Sequence, residues 1–400
     1  MKIRILFLTN RFAPGGAETF ILNRIGVLDR SRFEPYVAAL RADGKLRPAF
    51  EAAGVPTFEL GAGRQFDIHA YTNLYSLLRR ERIHILEAHV WWSVVSGRLV
   101  ARAARVPVVI TNEQEMHGGA TAHRSDVVFA GDATTRLSSA CVHITTPAMN
   151  SFLDEVNPLL AGNTLRRRIP NGINARHIAD VVAKLDRKAK RASLGIAEDA
   201  FVVGNVGRLV EAKGQKYLLP AFAKVREKVP NARLVIVGYG VLEDELKAQA
   251  ASLGLTDSVV FTGARLDVPE LLGTFDVFGF SSIHEAQGIA ILEAMAAGIP
   301  VVAPAIDGIP DVVKHEQTGL AIPPRDPDAL AAGILRLHAD PELAKRVVAG
   351  ANELFESEFS IEASGRAYEK LYVELLEKAG IHVPPAAPER RVDPLAAARA

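Results

Sequence analysis

The chain has 400 residues, 48% hydrophobic and 23% charged, enough apolar material for two cores of ordinary size. A single cysteine, Cys141, excludes an internal disulfide framework and fits a reducing compartment. No stretch offers about 20 uninterrupted apolar residues, which excludes an evident membrane span, and with a formal net charge of +1 no nucleic-acid partner is expected.

Apolar runs of strand length alternate with amphipathic runs of helix length, the pattern of parallel sheets covered by helices. MKIRILFLTN has too few apolar residues for a secretory core and reads as a first buried strand, Ile3–Leu8. Further strands follow near Pro35–Leu40, His84–His89, Val106–Thr111 and Cys141–Thr145. After Pro170 the pattern restarts, with strands near Phe201–Val206, Arg233–Val237, Val259–Thr262, Val277–Phe280 and Pro300–Ala303, and helices such as Leu242–Leu253 and Val268–Phe275. Both halves open with a strand, a glycine-containing loop (Phe12–Glu18, then Gly207–Gly214) and a helix. The Asn-Gly turn signal in PNGINAR marks the linker.

The expected fold is therefore α/β, two Rossmann-like doubly wound domains, 1–175 and 176–355, with ligands beyond the carboxyl ends of the strands and a cleft between the facing domains. Ser360–Lys378 reads as one long helix with an apolar stripe of Ile361, Tyr368, Leu371, Tyr372, Leu375 and Leu376. Residues 356–380 are expected to cross back to the first domain. The Pro-, Ala- and Arg-rich segment 381–400 reads as a disordered tail. Residues 1–175 hold 21 Lys and Arg against 15 Asp and Glu, the remainder 26 against 31. Such asymmetry suits an anionic membrane surface or an anionic substrate, or is a solvated surface with uneven statistics.

The most informative stretch is SIHEAQGIAILEAMAAGIP, Ser282–Pro300. Between Gly288 and Ala305 the one charged residue is Glu293. A buried unpaired carboxylate costs several kcal/mol, so Glu293 should be paired, capped or awaiting a ligand. Glu285 precedes a helix start at Gly288, whose unpaired N–H groups would face the same space. Two carboxylates and a helix N-terminus suit a ligand carrying hydroxyls and phosphate.

GGAE near the N-terminus, PNGIN at the junction, GRLVEAKG on a strand-loop-helix, VGYG, FTG, and Glu-x7-Glu running into EAMAAGIPVV together resemble the retaining glycosyltransferases of family four, with the GT-B fold. The resemblance covers roughly residues 1–380, and the ordered set is specific where each motif alone is weak. It implies transfer of a hexose or N-acetylhexosamine from a UDP- or GDP-sugar, bound mainly by the second domain, to an acceptor on the first, with retained anomeric configuration and no cofactor. The family's habits point to a cell-envelope or exopolysaccharide acceptor, lipid-linked ones included, and to a cytoplasmic enzyme, peripheral at the inner face of the membrane.

By the same resemblance Arg208 and Lys213 bind the donor diphosphate, where fixed cations stabilise the charge that develops on the leaving group; otherwise they are a surface ion pair. Glu285 takes hydroxyls of the transferred sugar and Glu293 those of the ribose, roles that suit carboxylates because each accepts several O–H bonds. The structural alternatives are a helix-start carboxylate and a buried ion pair. Backbone N–H groups of Gly288, Ile289 and Ala290 face a phosphate. Gly15 and Gly16 approach the donor phosphate, Glu18 opens the next helix, and His89 stands at its strand's carboxyl edge against the transferred sugar, unless it is a satisfied core histidine. His117 is a further acceptor-side candidate. Ala286 and Gln287 stand where relatives often have Gly and an aromatic, which leaves the donor sugar open.

VGYG lacks the third glycine of a dinucleotide fingerprint and by the resemblance packs near the nucleotide base. Asp326-Pro327-Asp328 spells a metal-binding Asp-x-Asp but sits as a helix N-cap with Pro at N1, so no metal is expected. Two rivals stay open: a non-hydrolysing nucleotide-sugar epimerase on the same fold, and a catalytically idle nucleotide-sugar-binding partner in a polysaccharide assembly complex.

Overall fold

The computed structural model describes residues 2–13, 16–41, 44–64, 67–113, 133–155 and 164–386. The chain divides into two compact units, Met1–Gly172 with Ile361–Ala400, and Ile173–Ser360.

In the first unit the strands are β1 (Ile3–Thr9), β2 (Phe33–Ala39), β3 (Thr57–Glu59), β4 (Ile85–His89), β5 (Val108–Glu113), β6 (Ala140–His143) and β7 (Leu165–Arg168), in the order β3-β2-β1-β4-β5-β6-β7. All their pairings are parallel. The central strands are buried on both faces, which is why β1 and β4 read as apolar runs and not as alternating ones. One face packs on the helix Gly16–Val27 and the C-terminal helix Ile361–Lys378; the other packs under Ile68–Arg80 and Trp91–Ala103. Every residue of the expected apolar stripe on the C-terminal helix is buried. Gly365 permits this helix to approach closely, since a Cβ there would sit 2.8 Å from Val27.

That helix ends at Gly380 (φ 75°) in a Schellman motif: Ile381 N–H reaches the Leu376 carbonyl and Gly380 N–H that of Glu377. Ile381 and Val383 then pack against the first unit's core. The expected disordered tail is thereby corrected at its start, because the chain leaving the motif carries its own apolar anchors; residues 387–400 lie outside the described residues.

The second unit holds β8 (Val202–Val206), β9 (Arg233–Val237), β10 (Val259–Phe261), β11 (Val277–Gly279), β12 (Val301–Pro304) and β13 (Leu320–Ile322), in the order β10-β9-β8-β11-β12-β13, again parallel throughout. Its core has two halves, one on each face of the sheet. The unit runs on to Ser360 and not to 355, because a π-helical turn at Phe355–Phe359 buries both phenylalanines in that core. β3, β7 and β13, which the sequence reading does not anticipate, are all sheet-edge strands. Among the described residues no helix is long and apolar enough to cross a membrane.

Candidate functional site

Two loops at the carboxyl edge of the second sheet are joined. The loop after β8 carries Gly207, Arg208 and a short turn, Glu211–Lys213, that ends at Gly214; the loop after β11 carries Ser281 to Gly288. Ile283 N–H donates to the Ala212 carbonyl at 2.8 Å, and the Ser281 hydroxyl donates to the Lys213 carbonyl at 3.0 Å. Gly214 is required at their crossing. Its φ is 60°, and a Cβ would lie 2.1 Å from the Ser281 carbonyl oxygen.

This crossing brings Lys213 Nζ into an ion pair with Glu285 Oε2, both side chains being mostly buried. Nζ also lies 5.9 Å above the Phe280 ring, a cation–π arrangement. Glu285 is held from a third loop, its N–H donating to Asp307 Oδ2 at 2.9 Å. Arg208, in the same loop as Lys213, is exposed and has no ion pair among the described residues.

Gly288, at φ 76°, opens the helix Ile289–Ala296. Among the described residues no acceptor takes the N–H of Gly288, Ile289 or Ala290, so the partial positive end of the helix is unspent. On the same helix Ile291, Leu292, Ala294 and Met295 are buried, and Glu293 among them has no hydrogen-bond or ion-pair partner among the described residues. Burial alone pushes its carboxyl up from an ordinary 4.5 to about 7. The Ser282 hydroxyl, from the loop after β11, and the side-chain oxygen of Gln215, which starts the helix after Gly214, are also buried without partners among the described residues. Unsatisfied polar groups and a perturbed carboxyl on elements that follow the carboxyl ends of neighbouring strands are the physical mark of a candidate binding site.

VGYG has a structural use. A Cβ on Gly238 would lie 2.0 Å from the Gly207 oxygen, and one on Gly240 would lie 2.2 Å from that of Leu209. The two glycines let the loop after β9 seat directly on the loop after β8. Asp326 is the N-cap of Pro327–Ala339, its Oδ1 accepting from Ala329 N–H at 2.9 Å, and Asp328 pairs with Lys224. Among the described residues no cluster of His, Cys, Asp or Glu could hold a metal ion.

In the first unit His89 ends β4 but is fully buried. Its Nε2 lies 2.9 Å from Glu87 Oε1, and Nδ1 is buried without a partner. Burial lowers its pKa, against the pull of the Glu87 carboxylate. His89 thus stands at the carboxyl end of its strand as expected, but with its ring held inside the unit: Glu87, two residues earlier on the strand, projects to the same side and takes the ring. Glu87 also accepts from Arg24 at 2.5 Å, from Asn112 Nδ2 at 2.9 Å and from the Tyr372 hydroxyl. The Tyr368 hydroxyl donates to Asn112, and Arg24 lies 3.8 Å over the Tyr368 ring. Although burial would raise Glu87, the Arg24 charge and these donors hold it near 2. This network ties the C-terminal helix to β4 and β5, and nothing in the sequence pattern announces it.

Val90, next in the chain, has φ 68°, a strained conformation for a β-branched residue and one that occurs at functional sites. Glu18 opens its helix as expected and accepts from the Thr9 hydroxyl at 2.6 Å. Gly16 is the first residue of the helix Gly16–Val27; Gly15 and His117 lie outside the described residues.

Two parallel doubly wound sheets, the second with cations, an unspent helix N-terminus and a partnerless carboxyl at its carboxyl edge, define a class of proteins that handle phosphorylated, hydroxyl-rich ligands. The family model "Glycosyl transferases group 1" matches residues 186–354, and "Glycosyl transferase 4-like domain" matches residues 15–172. UDP-Gal:alpha-D-GlcNAc-diphosphoundecaprenol alpha-1,3-galactosyltransferase of Escherichia coli is 31% identical over 302 residues, 72% of this chain and 75% of that protein. N-acetyl-alpha-D-glucosaminyl L-malate synthase of Bacillus anthracis is 25% identical over 316 residues, 78% of this chain and 80% of that protein. The crystal structure of Anabaena Alr3699/HepE in complex with UDP superposes with a TM-score of 0.80 at 23% identity, covering 94% of this chain and 100% of that one. The chain belongs to the group 1 glycosyltransferases of family four, with the GT-B fold, and is a glycosyltransferase. Membership in a family of transferases removes the epimerase reading.

Proposed function

We propose that this transferase moves a hexose or N-acetylhexosamine from a UDP-sugar to a cell-envelope or exopolysaccharide acceptor, with retention of configuration and without a metal ion. The observation that carries the reading is Glu293, a carboxyl with no partner among the described residues, on a helix whose first N–H groups meet no acceptor among them either. A ribose diol would donate to that carboxylate while the diphosphate meets the helix N-terminus. Lys213 and Arg208 would then stabilise the charge that gathers on the departing diphosphate, and Glu285 would accept from hydroxyls of the transferred sugar. UDP is preferred to GDP because the E. coli relative's name specifies UDP-Gal and the Anabaena structure contains UDP.

The reaction favoured is departure of the nucleotide to an oxocarbenium-like ion pair. The acceptor hydroxyl attacks the same face, and its proton passes to a leaving phosphate oxygen. The protein's contribution is positioning and fixed charge. A thermal-shift screen with UDP, GDP and ADP and their sugars, with and without Mg²⁺, tests the donor class. A metal-independent shift with UDP that is lost in Glu293→Ala supports the reading, and no shift with any of them sinks it. Anomeric configuration of the product by NMR tests retention; an inverted product or a glycosyl-enzyme adduct overturns the ion-pair route. Donor binding with no turnover over a broad acceptor panel would instead support the idle-partner reading.

A further inference from the structure

The first unit has a cavity of its own that none of the donor-binding groups uses. It encloses about 270 Å³ and is lined by Asn10 and Arg11 after β1, Arg41 after β2, Arg64 after β3 and Trp92 after β4, with Tyr71 beside them. The chain runs from β1 outward to β2 and β3, then returns to place β4 on the other side of β1. The cavity therefore lies at the carboxyl ends of strands around the topological switch point, where doubly wound sheets bind ligands.

Among the described lining residues the one carboxylate is Asp67, and it is engaged as a helix cap, accepting from Gly63 and His69 N–H at 3.0 Å each. Arg41 and Arg64 have no ion pair among the described residues, whereas Arg4, Arg24, Arg32, Arg47 and Arg80 of the same unit each meet a carboxylate. The Asn10 side-chain oxygen is buried without a donor, which suits a ligand hydroxyl. Tyr71 and Trp92 supply flat walls of the kind saccharide-sized ligands pack against. The volume falls just short of the ~300–1,000 Å³ of drug-sized ligand sites, so it takes one small group and not a whole nucleotide sugar.

Resting on the transferase reading above, we propose that this cavity holds an oxyanionic group of the acceptor, a phosphate or a carboxylate next to a hydroxyl, clamped by Arg41 and Arg64. The acceptor is thereby an anionic saccharide, glycolipid or hydroxy acid, and the guanidinium forks orient it by paired hydrogen bonds.

The chain's two tryptophans are the neighbours Trp91 and Trp92, so intrinsic fluorescence reports on this unit while the donor groups lie in the other. The full chain is titrated with inorganic pyrophosphate and, separately, with succinate at constant ionic strength. A saturable change with pyrophosphate assigns a phosphate-bearing acceptor, and one with succinate a carboxylate. Either should weaken about 10- to 100-fold in Arg41→Gln/Arg64→Gln, the loss expected for charged hydrogen bonds. Arg64→Gln alone, at an exposed position, should weaken it measurably even if the double variant fails to fold. A response to neither anion, or one that both variants keep, overturns the proposal. Lys213→Met separates the two readings: it should lose the nucleotide thermal shift and keep the anion response. Absence of any nucleotide shift with the anion response intact would sink the donor assignment and leave this site standing.

Discussion

Replacing Glu293 with glutamine should make the ligand-free protein more stable and the donor-bound protein less so. With its carboxyl pushed from an ordinary 4.5 to about 7, the folded chain between those pH values keeps a proton that the unfolded chain has lost. Stability attached to this group is therefore present in full below pH 4.5 and is lost as pH rises through 7. At about 1.36 kcal/mol per pKa unit the loss is ~3 kcal/mol. Partial exposure of the side chain screens some of it, leaving ~2 kcal/mol. Glutamine has the same shape and no proton to lose, so the variant should match the parent near pH 4.5 and exceed it by ~2 kcal/mol at pH 8. For a unit of this size that is about 4–8 °C in Tm. Calorimetry at the two pH values, following the transition that the nucleotide shifts, measures it, and the same samples with UDP should show the variant's nucleotide shift abolished. Equal stability of parent and variant at pH 8 would refute the reasoning, since Glu293 would then be paired or solvated in solution.

Lys213→Met and Arg208→Ala should each lower kcat/KM about 10²- to 10³-fold, the scale on which fixed charge stabilises a leaving group, as measured by nucleotide release in the presence of acceptor. Gly214→Ala should destabilise the second unit by ~3 kcal/mol or more, because positive φ adds to a clash with the Ser281 backbone; an unchanged calorimetric Tm would contradict the close crossing of the loops. Tyr372→Phe removes a hydrogen bond to the Glu87 carboxylate and should cost about 1.5–3 kcal/mol, whereas Arg24→Met leaves that carboxylate uncompensated and should cost about 3–5 kcal/mol. Both are read by tryptophan-monitored denaturation, and a smaller loss in Arg24→Met than in Tyr372→Phe would refute the pairing.

The legible parts of the fold were those set by local apolar pattern. β1, β4, β8 and β9 are buried on both faces and stand out as runs, while the three-residue β3 and β13 and the arginine-bearing β7 are edge strands with a partner on one side only and too little apolar surface to register. Glu293 was legible because one charge in an apolar run has few structural explanations. The Lys213–Glu285 pair was not, since its partners are 72 residues apart and meet only because Gly214 lets two loops cross. The stripe on the C-terminal helix was legible as apolar, yet Tyr368 and Tyr372 also carry hydroxyls into a buried network whose other members come from β4, β5 and the first helix. Sequence spacing encodes which face of a helix is buried, not which polar groups meet across it.

Where the second sheet leaves its polar groups unsatisfied is itself informative. At its amino-terminal edge Arg191 donates to the carbonyls of Thr274, Glu198 and Ala200 and to Asp276, which also meets Arg187 and accepts from Val202 N–H. Charge there is spent on stability. At the carboxyl edge, among the described residues, Glu293, the Ser282 hydroxyl and the Gln215 side-chain oxygen lack partners, the first N–H groups of Ile289–Ala296 meet no acceptor, and Arg208 has no counter-ion. In the first unit Asn10, Arg41, Arg64 and the strained Val90 also stand at or just past the carboxyl ends of their strands. A fold that satisfies one edge and leaves the other unsatisfied holds binding free energy in reserve, since each orphaned group recovers its desolvation cost only when a ligand supplies the missing partner. That difference in satisfaction, more than the shape of the sheet, is what supports the carboxyl edge of the second sheet as the proposed binding edge.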